Sequence, residues 1–196
     1  LARTMFLDQL RFGLSNGRKA TLETIREIEK IGLDFVCFTG NPGTGVSNKA
    51  IEDSIKLAKK EYSGLIIAGK MHGAGVEGPV IDLETVESFL KAGADVILVP
   101  VGTVPGFDSL QLKEIVEYVH KNNGLVMAAI GTSQEGSDPD TVAQMALQSK
   151  ICGVDIHHIG DAGFSGLAPV ENIFALGKAV RGLRHTMATA ARSINR

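Results

Sequence analysis

The sequence predicts an α/β chain wound as most of a TIM-type (β/α)8 barrel, with five parallel βα units present in its 196 residues. Three observations predict it. Glycines at 32, 64, 93, 124 and 153 recur at spacings of 32, 29, 31 and 29 residues, and each stands just before an apolar run. The echo is strongest at twice that period: Gly32-Leu-Asp34, Gly93-Ala-Asp95 and Gly153-Val-Asp155 place their aspartates 61 and 60 residues apart. A strand-and-helix repeat with a two-unit period fits a barrel whose alternate strands fill alternate interior layers. Glycine is also distributed unequally. The segments that follow the five apolar runs hold 14 of the 23 glycines, whereas each turn at the opposite end manages with one.

The elements follow in order. Residues 1–17 read as a tail or loop, and 18–196 as one partial barrel domain. A first helix runs from about Ala20 to Lys30, with Ile25, Ile28 and Ile31 on one face. Strands are expected near 35–39, 65–70, 95–100, 125–130 and 154–159. Later helices begin near Ser47, Asp82, Asp108, Asp138 and Pro169, most of them at an N-cap or first-turn signal such as Asp108-x-x-Gln111 or Asp138-Pro139-Asp140. Val170, Ile173, Phe174, Leu176 and Val180 form the stripe of a helix packed on a sheet, and a last basic helix follows Gly182. Eight units typically take ~250 residues. Five strands cannot close a barrel, so the expected match is to strands four to eight, with three N-terminal units absent and the first strand's edge needing cover. The rival, an open doubly wound sheet, would carry G-x-G-x-x-G; Gly40-Asn-Pro-Gly43-Thr-Gly45 has the wrong spacing and includes Pro42.

With 44% hydrophobic residues, 21% charged residues and a net charge of -2, the chain has the composition of a soluble cytoplasmic domain, with no basic excess for nucleic acid. No apolar run approaches the ~20 residues of a membrane span. Cys37 and Cys152 read as two buried thiols rather than a disulfide.

The glycine-rich segments mark a ligand rim, because this fold places its chemistry at the C-terminal ends of its strands and glycine lets backbone N–H groups approach a ligand. In the last two, Gly131, Thr132, Ser133, Gln134 and Gly160, Gly163, Ser165, Gly166 are candidate phosphate ligands, with Asn41 from an earlier loop. Glu135 and Asp161 oppose an anion there, so a neutral polar ligand stays open. Lys70 and His72 end an apolar strand and share a face at period two. Lys70 can neutralise a phosphate or carboxylate, or form a Schiff base if desolvated; His72 can serve as acid or base. Reaching solvent or pairing with Asp161 or Glu77 is the structural alternative.

His157 and His158 are adjacent, so only one of them lines the interior. His157 with Asp161, or His72 with Asp161 across the rim, is the candidate base with its orienter, and Glu135 joins the catalytic set. A divalent cation at His72, Asp161 and Glu135 is the minor alternative, since no spacing such as H-E-x-x-H appears; otherwise no cofactor is implied. Asp34, Asp95 and Asp155 lie at the opposite end and read as turn residues.

At Thr39-Gly-Asn-Pro-Gly-Thr-Gly45, Ala68-Gly-Lys-Met-His72, Ala128-Ala-Ile-Gly-Thr-Ser-Gln134 and His157-His-Ile-Gly-Asp-Ala-Gly163, the chain resembles a family of uncharacterised bacterial (β/α)8-barrel proteins. Its members carry labels such as haloacid-dehalogenase-like hydrolase or phosphonomutase-like protein. The resemblance implies a barrel pocket and no established reaction; the D-x-D-x-[TV] loop of dehalogenase chemistry is missing. The functional expectation is a homo-oligomeric enzyme for a small anionic, phosphorylated metabolite, with acid–base or carbon–carbon bond chemistry of a lyase or isomerase. A non-catalytic metabolite-binding or regulatory barrel is the alternative, and a hydrolase the second.

Overall fold

The computed structural model describes residues 3–6, 16–40, 45–73, 77–102, 104–131, 133–160 and 167–192, the first four as backbone. Six strands form one parallel sheet in the order of the chain: β1 (Arg3–Phe6), β2 (Phe35–Thr39), β3 (Leu65–Gly69), β4 (Val96–Pro100), β5 (Leu125–Ile130) and β6 (Ile156–Ile159). Five of them are the expected runs. The sixth, β1, comes from the segment expected as a tail and covers the edge of β2, pairing Arg3 with Val36 and Phe6 with Thr39. No strand order reverses, which removes the doubly wound alternative. The result is a curled, open portion of a barrel, with β1 and β6 as its edges.

The first five helices begin where a side chain can satisfy their first amides. Thr21 caps α1 (Leu22–Ile31), Ser47 caps α2 (Asn48–Glu61), Asp82 caps α3 (Leu83–Ala92), and Asp108 with Gln111 forms a capping box on α4 (Ser109–Lys121). Asp138 caps α5 (Pro139–Ile151), with Pro139 at its first position. Gly32 and Gly93 end α1 and α3 at φ 75° and 111°, a left-handed conformation that a Cβ would penalise. The last element, α6 (Val170–Ala191), breaks at Gly182, and its second segment folds back so that Thr186 lies against Gly177.

The sheet has two unlike faces. Val36, Phe38, Ile66, Ala68, Ile97 and Val99 face the helices and belong to the main core. Alternate residues Phe35, Cys37, Ile67, Leu98, Met127 and Ile156 belong to a smaller cluster on the concave inner face. Both thiols are free. Burial pushes Cys37 up to about 12, so it sits inside as a neutral thiol.

The two-unit period has a physical basis at the N-terminal end of the strands. The Asp95 carboxylate accepts the Ile66 N–H at 2.8 Å, and sixty residues on the Asp155 carboxylate accepts the Val126 N–H at 2.8 Å. Each carboxylate also has a basic partner at the end of a helix, Lys59 at 3.5 Å and His120 at 2.9 Å. Asp95 fastens β3 to β4 and Asp155 fastens β5 to β6, as turn residues should.

Candidate functional site at the mouth of the sheet

The C-terminal ends of the strands form the mouth. Continuing the alternation puts Thr39, Gly69, Gly131 and Gly160 on the inner wall there. The glycines are required by close approach. A Cβ at Gly69 would lie 1.9 Å from the Leu98 carbonyl oxygen, and one at Gly131 would lie 2.9 Å from the Met71 sulfur. At Gly160 it would lie 2.7 Å from Glu135 Oε1. The buried Glu135 carboxylate is therefore laid over the inner end of β6, in the place a side chain at 160 would take.

Glu135 reaches that place from a 3-10 turn, Gln134–Gly136, entered through Ser133 in a left-handed conformation at φ 74°. Buried Asn172, in the first turn of α6, donates through Nδ2 to the Glu135 and Ser137 carbonyls, each at 2.8 Å, and so clamps the loop. The loop uses its own amides: Gln134 N–H goes to Gly131 O and Gly136 N–H to Ser133 O. Gln134 thus has its amide engaged already, while the exposed Ser133 lies at the start of the turn. Of the other phosphate-ligand candidates, Asn41, Thr132, Gly163, Ser165 and Gly166 lie outside the described residues, as does the catalytic candidate Asp161.

Lys70 is almost wholly buried, at 2% exposure, and its Nζ donates to the Val46 carbonyl at 3.1 Å, just before the N-cap of α2. Among the described residues no carboxylate pairs with it. Desolvation lowers its pKa. The strand ends at Gly69; continuing its alternation sets Lys70 with the helix-facing Ile66 and Ala68, and Met71 on the inner wall with Ile67 and Gly69. Lys70 lies under the rim, with the half-buried His72 close enough that burial and the Lys70 charge both lower the imidazole's pKa.

The two histidines of β6 are now distinguished. His157 registers with Ala128 on the helix-facing side and hydrogen-bonds the Ala146 backbone of α5, and burial lowers its pKa. Adjacency had left open which of them lines the interior: His158, in register with Ala129, is the inner residue. Sequence reasoning also missed Thr39, whose hydroxyl is buried at 2% exposure with no hydrogen-bond partner among the described residues, and the clamp Asn172. Among the described residues no three His, Cys, Asp or Glu side chains group as metal ligands.

The family model described as "Domain of unknown function (DUF7916)" matches residues 3–196. The chain belongs to this family. Comparison with curated proteins gave no match. Among solved structures, the chain is similar to deoxyribose phosphate aldolase from Aeropyrum pernix, at 16% identity and a TM-score of 0.62, covering 91% of this chain and 71% of that one. It is also similar to oxaloacetate acetylhydrolase bound to 3,3-difluorooxalacetate, at 12% identity and a TM-score of 0.63, covering 91% and 63% of the two chains. At such identities the likeness is one of fold: a TIM-type barrel. Nothing in these matches carries a haloacid-dehalogenase label or a bacterial source to the family. No described helix is long and apolar enough to cross a membrane.

Proposed function

We propose that this chain carries the site of a lyase- or isomerase-type barrel enzyme whose substrate is a small metabolite bearing a phosphate or carboxylate. The observation that carries the proposal is Lys70: a buried ammonium at the rim, bonded to a carbonyl and to no described carboxylate. Burying a cation without an anion is costly. A substrate oxyanion supplies the missing charge. A neutral Lys70 amine would instead attack a substrate carbonyl, forming an imine as water leaves, and desolvation favours that neutral form. Glu135, over Gly160, is the acid–base candidate for proton transfer at carbon, with His72 beside Lys70 and Asp161 on the loop after β6. Likeness to aldolases supports this reading at the level of fold.

A metabolite-binding barrel without turnover is the second reading. It is favoured by His157 and Lys70 lying off the inner wall. The two separate in one experiment: incubation with a panel of phosphorylated and carboxylated aldehydes and ketones, with borohydride trapping and product analysis. Turnover, with an adduct lost in Lys70→Met, supports the imine route. Turnover without an adduct leaves Lys70 as a charge partner. Binding without product selects the second reading, and neither binding nor product ends both.

A further inference from the structure

The inner end of β6 carries two proton-transfer groups rather than one. Alternation along β6 sends His158 inward with Ile156, its side chain exposed to the concavity, while His157 goes to the helices. Gly160 has the same parity as His158. Its N–H donates to the Ile130 carbonyl at 2.9 Å, so the ladder and its alternation continue to that residue. Glu135 takes the place of the side chain Gly160 lacks, with Oε1 2.7 Å from where a Cβ would stand. Imidazole and carboxylate therefore stand on the same face of one strand, about 6.5 Å apart along it. The β5 neighbours shape the space beside them. Ala129 registers with His158 and offers only a methyl group, while Gly131, next to Gly160, is overlaid by the Met71 sulfur as an apolar wall.

We propose that His158 is the acid–base partner of Glu135, and that the pair interconverts an α-hydroxy aldehyde or ketone with its enediol. This inference rests on the reading of Glu135 as the proton-transfer group and names the substrate class for it. The Glu135 carboxylate takes the proton from the carbon next to the carbonyl. The C–H electron pair becomes the C=C bond, and the carbonyl π pair moves onto oxygen, which receives the His158 N–H proton. In the return step His158 takes back a proton from the other enediol hydroxyl, and Glu135 delivers its proton to the former carbonyl carbon. The substrate leaves isomerised and both side chains are restored. The spacing suits the task, because the carbon acid and its carbonyl oxygen are neighbouring atoms that need one group each.

The test incubates the full chain in D2O with dihydroxyacetone phosphate and, separately, hydroxypyruvate, following exchange of carbon-bound hydrogen for deuterium by NMR. The faster probe tells which anionic group the site takes. His158→Ala should lower kcat for exchange about a hundredfold with KM within about threefold, and free imidazole should restore part of the loss. Its urea midpoint should hold, because the side chain is exposed. Glu135→Gln should remove exchange as well. Exchange lost in Glu135→Gln but kept in His158→Ala overturns the His158 assignment and leaves the Glu135 reading standing. A loss in His158→Ala that imidazole does not restore, together with a lowered midpoint, overturns it too, by revealing a structural role. Exchange at the parent rate in Glu135→Gln ends the Glu135 reading and the pair with it. No exchange by the parent chain with either probe removes the enediol step.

Discussion

The two ends of the sheet treat buried polar groups in opposite ways. At the N-terminal end, Asp95 and Asp155 each accept a strand N–H and meet a basic side chain, and the same arrangement recurs sixty residues apart. At the C-terminal end, the Thr39 hydroxyl has no partner among the described residues, and Lys70 has a carbonyl where a buried cation calls for an anion. The base is satisfied by its own side chains. Under the proposed function a bound ligand completes the mouth, the division of labour expected of barrel ends.

That contrast is broken most readily at the base. Asp155→Ala leaves the N–H of the fully buried Val126 unsatisfied and strips His120 of its partner. It should cost about 2–3 kcal/mol in urea denaturation. Asp95→Ala should fall close to the same value, since it removes the equivalent bond to Ile66. Similar losses would establish the repeat as energetic as well as geometric.

A smaller effect is expected from acid. Burial lowers the pKa of His157 and of His72 from 6.5, the latter with help from Lys70. Below pH 6.5 the unfolded chain takes up protons that the folded chain refuses, until the folded pKa is also passed. Stability should therefore fall as pH drops from 6.5 through that window and then level off. His157→Gln should flatten part of the slope in thermal melts; an unchanged slope would remove His157 as its source.

Smaller still, His120→Ala should cost less than about 1 kcal/mol, because the pair with Asp155 is half-exposed and the strand bond remains. At the low end, Cys37 should resist alkylation at pH 8 in the folded chain, since its thiol is held near 12. Rapid labelling of Cys37 would mean that the inner wall opens.

Much of the fold was legible because the repeat combines three local signals. A glycine ends each turn, an aspartate or serine starts most helices, and apolar runs lie between them. The observed strands 96–100 and 125–130 depart from expectation by at most a residue. β1 escaped because Arg3-Thr-Met-Phe6 is four residues long and lacks the glycine–aspartate turn. On α6 the periodicity was present but Val170 and Phe174 are 58% and 38% exposed, while Asn172, Ala175 and Gly177 are buried. A pattern says which residues share a face, not whether anything covers that face.

The site was legible in part. Glycine density located the rim, and the apolar strand before it made Lys70 conspicuous. Period two said that Lys70 and His72 share a face but not which face is concave; the folded chain sets Met71 inward and Lys70 with the helix-facing residues. Adjacent histidines carry no sign of which face is concave. Thr39 and Asn172 are ordinary polar residues in the sequence; burial, a property of the folded chain, is what distinguishes them.

The most direct test of the contrast is urea denaturation of Lys70→Met at pH 7 beside Asp155→Ala. If the mouth is kept for a ligand, removing a buried cation that lacks an anion should leave stability unchanged or raise it by about 1 kcal/mol, while the amide NMR response of Gly69–His72 to inorganic phosphate or acetate disappears. A loss of stability as large as that of Asp155→Ala would contradict the account. It would make the Lys70–Val46 bond a structural tie like those at the base.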